Sequence, residues 1–386
     1  MYTIGNEEKE AVARVIDSGN LFKVNNGLRE TEQCEAEMRE KFGCDFAMLM
    51  TSGSGALTSA LIGMGIGPGD EVIVPAYTYI ATAMSVVSVG AMPVITEVNE
   101  TLTLDPEDVD RKITDRTKAI LPVHIQGFPC DMKALCDIAK NHGLFVLEDA
   151  CQADGGSFNG KRLGTIGDAG ALSFNQYKII TCGEGGALLT NDRRIFERAL
   201  IYHDSNAVKF FGSQLDGITE PLFCGNEFRT NEIQAAILRE QLKKLDGLLS
   251  GLRRSRNALR DALSDTFTFA PSNDLDGDCG TTLAFRFETE EAARKFATSD
   301  GIYGTLPIDT GKHVYTNWEP IMNRRGAVNP AFDPFRMEAN RVPDYRPDLC
   351  PKTLDILSRT VYLSMSPWST DEDIERRAEA CRKAMS

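Results

Sequence analysis

The chain has 386 residues, of which 42% are hydrophobic and 25% charged, enough for one large domain with a buried core and a smaller second one. Its 42 basic and 56 acidic side chains give a net charge of −14, which argues against a nucleic-acid binder. It leaves room for a phosphorylated ligand, because a few local N–H groups can hold one anion in an acidic protein.

The first ten residues carry acids where a signal peptide has a basic stretch and an apolar run, so a cytoplasmic location is expected. Short apolar runs then alternate with helix-length segments. Candidate strands lie at 47–50, 71–74, 92–95, 119–123, 144–148, 170–174 and 186–190. Candidate helices lie at 56–64, 78–89, 132–141 and 193–201, and residues 107–118 and 131–143 read as surface helices. This alternation predicts an α/β fold with a mostly parallel sheet of seven strands, covered on both faces. The most continuous apolar stretch, 83–95, is broken by Ser85, Ser88, Gly90 and Pro93, so no membrane span is expected. A long helix is expected from 231 to about 262. Beyond it, 263–310 mixes short strands with acidic stretches, 311–350 lacks periodicity, and 370–385 is an amphipathic helix with a capping signature. The expected division is a large domain over residues 1–250 and a small α+β domain over 251–386. Ten scattered cysteines include no Cys-x-x-Cys pair, so no metal site is expected.

Three segments carry candidate chemistry. Thr51-Ser52-Gly53-Ser54-Gly55 follows a strand and opens a helix, where N–H groups and the Ser54 hydroxyl can face an anion; a plain strand-to-helix turn has the same wording. Glu148-Asp149-Ala150-Cys151-Gln152 sits at a strand's carboxyl end, where open α/β sheets bind ligands. There Asp149 can hold a cationic ring nitrogen and Gln152 a phenolate-like oxygen, although Asp149 could equally cap the next helix. Lys178 lies between two apolar strands and precedes the glycine-rich run Gly183-Glu184-Gly185-Gly186. That setting suits a Schiff-base lysine better than a solvated surface one. With Tyr79 on an intervening loop, these parts make a complete set for holding pyridoxal phosphate (PLP).

The chain resembles the DegT/DnrJ/EryC1/StrS sugar aminotransferases. The matching segments include Gly67-Pro68-Gly69-Asp70-Glu71, Thr117-Lys118-Ala119-Ile120, Glu148-Asp149-Ala150-Cys151-Gln152, Gly183-Glu184-Gly185-Gly186 and Asn231-Glu232-Ile233-Gln234. The resemblance implies PLP fold type I, the aspartate-aminotransferase-like fold. It implies that Lys178 carries the cofactor and shuttles a proton, with Asp149 on the pyridinium nitrogen and Gln152 on the ring oxygen. Tyr79 would stack on the ring, and Gly53, Ser54 and Ser173 would bind the phosphate. Asn226 would reach the cofactor of a second subunit, which requires a homodimer with shared active sites. Glutamate or glutamine would donate nitrogen, through the pyridoxamine form (PMP), to a keto-sugar: a nucleotide-sugar, a keto-sugar acid or a cyclitol ketone. The alternatives are a PLP/PMP-dependent sugar dehydratase, which in this family has His where Lys178 stands, and a silent PLP-binding regulator. Ser54 replaces the family's usual Thr, and His203-Asp204-Ser205-Asn206 departs from its usual wording. The Asp-Ala-Cys-Gln and Ile-Thr-Cys-Gly-Glu-Gly-Gly wording is similar to that of transaminases acting on eight-carbon keto-sugar acids. Among the histidines, His124 is placed for either a pocket or a structural role, and His313 for either the substrate site or the surface.

Overall fold

The computed structural model describes residues 2–23, 27–204, 214–215 and 217–385. Ser205 and Asn206 lie outside the described residues. Two helices, α1 (Asn6–Ser18) and α2 (Glu30–Phe42), precede the first strand, β1 (Phe46–Met50). Then follow α3 (Gly53–Gly63), β2 (Glu71–Pro75), α4 (Ala81–Ser88), β3 (Met92–Thr96), α5 (Pro106–Lys112), β4 (Thr117–Ile120), α6 (Met132–His142) and β5 (Phe145–Asp149). A small hairpin, β6 (Ser157–Phe158) and β7 (Lys161–Arg162), leads to β8 (Ala169–Ser173), β9 (Gly186–Thr190) and α7 (Arg193–His203).

Seven of these strands form one sheet in the order β1-β9-β8-β5-β4-β2-β3. The pairs from β8 through β5, β4 and β2 to β3 are parallel, whereas β9 is antiparallel to both β1 and β8. No crossover helix separates β8 from β9, so the chain can only turn back on itself there. Because β9 reverses between them, β1 and β8 point the same way. The carboxyl ends of β1, β2, β5 and β8 therefore open on one edge of the sheet. The strands are mostly apolar because helices cover both faces: α3 packs on β8, β9 and α7, and two core clusters flank the sheet.

The helix expected over 107–118 is shorter. It ends at Lys112, and Thr117 already begins β4, whose first residue pairs with Glu71. The charges that suggested one long helix belong to the turn at 113–116. A second correction is the start of α4. Asp149 draws Thr82 toward the sheet, and residues 78–80 form a loop rather than helix.

The long helix α8 (Glu232–Leu263) runs unbroken through residue 250 and packs against α1 and α2. Its N-cap, Asn231, accepts from the Gln234 N–H. After it, β10 (Thr268–Phe269), β11 (Thr282–Arg286) and β12 (Thr360–Ser364) form a separate antiparallel sheet. Helix α9 (Glu290–Ala297) packs on that sheet and α12 (Asp371–Met385) packs on α8. Between them α10 (Glu319–Met322) and α11 (Pro351–Ser358) punctuate a run of single turns. Among the described residues, no helix is long and apolar enough to cross a membrane.

Candidate functional site

The turn after β1 is built for close approach. Ser52 caps α3 by accepting the Gly55 N–H at 3.0 Å, which leaves the Ser54 hydroxyl exposed at the helix start without a hydrogen bond among the described residues. A side chain at Gly53 would put its Cβ 2.6 Å from Cys151 Sγ and 3.0 Å from Ser173 Cβ. A Cβ at Gly186 would meet the Ser52 backbone at 2.3 Å. The helix start, the end of β8 and the turn after β5 thus converge only because both positions are glycine. Gly53, Ser54 and Ser173 therefore line a helix N-terminus suited to an anion.

The two acids at the end of β5 separate, because successive strand residues face opposite ways. Glu148 is fully buried and accepts from the N–H groups of Gly164 (2.9 Å), Ile166 (2.6 Å) and Gly167 (2.7 Å), with His124 Nε2 at 3.0 Å. His124 Nδ1 accepts the Cys130 N–H at 3.1 Å, so the ring proton sits on Nε2 and points at Glu148. This pair is scaffolding: it ties the loop before β8 to β5. Asp149 faces the other way. Its Oδ2 accepts from Thr82 Oγ1 at 2.7 Å and its Oδ1 from the Cys151 N–H at 3.2 Å. A carboxylate so held keeps lone pairs for a cation.

Lys178 lies on the loop between β8 and β9. The loop is closed by Phe174 N–H to Gly185 O (2.8 Å), Cys182 N–H to Phe174 O (3.0 Å) and Lys178 N–H to Asn175 O (3.1 Å). The Lys178 side chain is half-buried and makes no hydrogen bond or ion pair among the described residues. It lines a cavity of about 200 Å3 with Gln126, Gln152, Tyr177, Thr281 and His313. Gln152 Oε1 accepts the Gln126 N–H at 3.0 Å, which turns its amide nitrogen, a donor, to the remaining space. Gln126 itself has φ 53, an uncommon conformation for a residue other than glycine. The Thr281 hydroxyl donates to its carbonyl.

His313 is brought to the cavity from the far end of the chain. Thr78 N–H donates to His313 O (2.9 Å), Ile80 N–H to Lys312 O (3.0 Å) and Tyr315 N–H to Ala76 O (3.0 Å). The imidazole lies 5.4 Å from the Tyr79 ring, tilted by 54°. Burial, together with the Lys178 charge, lowers its proton affinity against a weak contact to Thr310 O, so it is neutral at pH 7. Tyr79 is 45% exposed and Tyr177 76%, large aromatic areas for a surface. Asn226 is exposed outside this cavity, with its Nδ2 on Tyr202 OH at 3.0 Å. A separate cavity of about 510 Å3, lined by Lys23, Glu35 and Arg39 among others, contains none of the strand-end groups.

Of the residues singled out from sequence, Gly53, Ser173, Asp149, Gln152, Tyr79 and Lys178 come to one edge of the sheet, with Ser54 beside them. Sequence reasoning missed Thr82, Gln126 and Thr281. Thr82 had a signal in principle: a hydroxyl in the first turn of α4, three residues after Tyr79. Gln126 had none.

Comparison with known proteins agrees with this architecture. The DegT/DnrJ/EryC1/StrS aminotransferase family model matches residues 2–298. The dTDP-3-amino-3,6-dideoxy-alpha-D-galactopyranose transaminase of Aneurinibacillus thermoaerophilus is 33% identical over 383 residues, covering 98% of this chain and 95% of that protein. The dTDP-3-amino-3,4,6-trideoxy-alpha-D-glucose transaminase of Streptomyces venezuelae is 42% identical over 242 residues, and the match spans 62% of this chain and 61% of that relative. The solved structure of the aminotransferase from Psychrobacter cryohalolentis superposes with a TM-score of 0.82 at 26% identity, covering 99% of this chain and 97% of the other. The chain belongs to the DegT/DnrJ/EryC1/StrS aminotransferase family.

Proposed function

We propose that this chain is a PLP-dependent aminotransferase that takes nitrogen from glutamate or glutamine and delivers it to a keto-sugar. The observation that carries the reading is the convergence, on one sheet edge, of the Lys178 amine, a carboxylate held by Thr82 and the N-terminus of α3. The donor types fit the cofactor group by group. Gly53, Ser54 and Ser173 would hold its phosphate, Asp149 its ring nitrogen and Gln152 its ring oxygen, with Tyr79 over the ring face. PLP supplies an electron-poor ring that takes up the electron pair left by a departing proton. Lys178 would attach the cofactor covalently and, once free, carry the proton between substrate carbon and cofactor as base and then acid. The cavity walls offer Gln126, Thr281 and His313 to a polyhydroxylated acceptor: a nucleotide-sugar, a keto-sugar acid or a cyclitol ketone.

The same reading includes a cytoplasmic homodimer, divided near residue 250 into a cofactor-holding part and a smaller one, in which Asn226 completes the neighbour's site. The exposed Tyr177 and Tyr79 support it, because a second copy would cover them. Lys178 supports a transaminase over a dehydratase.

Purified protein should bind PLP as a yellow species, and glutamate or glutamine should bleach it to the pyridoxamine form. Protein that stays yellow with either donor is a silent binder, and protein that never colours contradicts the reading outright. Lys178→Ala should lower turnover at least about a thousand-fold while leaving the melting transition in place; activity near wild type removes Lys178 from the mechanism.

A further inference from the structure

Gln126 holds a left-handed backbone, φ 53 and ψ 19, in a turn closed by Gly127 N–H to His124 O (3.2 Å) and Phe128 N–H to Ile125 O (2.9 Å). That conformation is costly for a residue with a side chain, so neighbouring groups must hold it. The groups that do so come from the start of β11. The Thr281 hydroxyl donates to Gln126 O, and the Thr282 hydroxyl donates to Gln126 Oε1 at 3.1 Å. Cys279 N–H donates to Gly127 O at 3.1 Å. The approach is close: a Cβ on Gly127 would lie 2.6 Å from Cys279 Cβ. Thr281 is fixed in turn by the second sheet, since its carbonyl accepts the Met365 N–H at 2.8 Å.

On its other side, Gln126 sets the direction of Gln152. Its N–H donates to Gln152 Oε1 at 3.0 Å, and the Gln152 amide makes no other hydrogen bond among the described residues. The two ends of a carboxamide have nearly the same shape but opposite sense: the oxygen accepts and the nitrogen donates. A flipped Gln152 amide would therefore fill the same space. The Gln126 N–H opposes the flip, because two donors would then face each other. Gln126, Gln152 and Thr281 line one cavity with Lys178, so this chain of hydrogen bonds runs from β11 into the site.

We propose that Thr281 is a positioning residue for Gln152: by holding Gln126 left-handed, it aims the N–H that makes Gln152 present a donor to the ring oxygen of PLP. Without the Thr281 hydroxyl, Gln126 relaxes toward an ordinary φ and its N–H turns from Gln152. The amide can then face either way. Its nitrogen stabilises an anionic ring oxygen by a charge-assisted bond, whereas its oxygen repels it. The second sheet thus helps to set the electronics of a cofactor held by the first. This inference rests on the reading in which Lys178 holds PLP with its ring oxygen at Gln152.

The test is a pH titration of the visible absorbance of PLP-loaded protein, which needs neither acceptor nor turnover. The proton on the nitrogen joining Lys178 to the cofactor is shared with the ring oxygen. A donor on that oxygen weakens its hold on the proton, so losing the donor raises the midpoint. Thr281→Val keeps the shape, removes the hydroxyl, and leaves Tyr79, Asp149, Cys151, Tyr177, Lys178 and His313 in place. The midpoint of this variant should rise by at least about half a pH unit, the scale of a weakened hydrogen bond to a charged group. Thr281→Ser should restore it. Gln152→Ala should raise the midpoint by itself, and adding Thr281→Val to it should change nothing more. A midpoint that Gln152→Ala moves and Thr281→Val does not overturns the inference and leaves the aminotransferase reading intact. So does a Thr281→Val shift that persists in full without Gln152. Wild-type protein that never colours, or a midpoint indifferent to Gln152→Ala, overturns the placement of the cofactor and the inference with it. If Thr281→Val does not fold, Thr282→Val, which removes the second grip on Gln126, is measured in its place and judged by the same outcomes.

Discussion

Thr82 Oγ1 lies 2.7 Å from Asp149 Oδ2 and 2.7 Å from Thr78 Oγ1. An ionised carboxylate only accepts, so the Thr82 proton points at Asp149 and Thr78 donates in turn to Thr82. The chain of hydroxyls fixes the carboxylate's orientation from the side away from the cavity, as outer partners do for ligating groups. Thr82→Val removes the donor while keeping the shape. We expect PLP affinity to fall by about ten- to a hundred-fold, as for the loss of one hydrogen bond to a charged group. Fluorescence titration of stripped protein measures it, and unchanged affinity removes Thr82 from the site.

Gly53→Ala tests the convergence of three elements. The added methyl would lie 2.6 Å from Cys151 Sγ and 3.0 Å from Ser173 Cβ, so α3 must retreat from β8. Overpacking of this kind costs about 1–3 kcal/mol. The anion cradle should open with it, and phosphate-dependent cofactor retention should fall more steeply than stability. Equilibrium dialysis against PLP and pyridoxal separates the two effects: a loss equal for both would mean that the turn does not hold the phosphate.

Glu148 and Asp149 are neighbours with opposite fates. Glu148→Ala strips three backbone N–H groups and His124 of their acceptor inside the core. The expected loss is about 3–5 kcal/mol of stability, the scale of breaking a buried charge network. Urea denaturation reads it directly. A loss below about 1 kcal/mol would show that water replaces the carboxylate.

Acid should loosen α1 before the sheet. Burial raises the Glu8 pKa, but Lys244 (2.5 Å), the Gly5 N–H (2.7 Å) and Gln241 (2.6 Å) outweigh it and bring it down to about 2. A folded value below the unfolded one of 4.5 means the stabilisation is complete above pH about 4.5 and disappears as pH falls toward 2. Glu8→Gln should therefore cost about 2–3 kcal/mol at pH 7 and almost nothing near pH 2. Denaturation curves at both values check this; an equal cost at both assigns the effect to packing rather than charge.

Local wording in the chain was sufficient for the alternation of strands and helices, for the turn at Gly53 and for singling out Asp149 and Lys178 as candidates. Each depends on contacts between residues a few positions apart: apolar period, capping, the freedom of glycine. The same local reading overran α5, because the charges at 113–116 fit a helix as well as a turn. It also missed the reversal of β9. Tertiary structure alone decided that Glu148 belongs to the scaffold, that Thr82 supports Asp149, and that His313 arrives beside Tyr79 from more than two hundred residues away. It also buried Asp154 with neither carboxylate oxygen hydrogen-bonded among the described residues. The physical reason is common to all four: burial and hydrogen-bond pairing are set by which distant segments meet, and no periodicity within one segment records its partners.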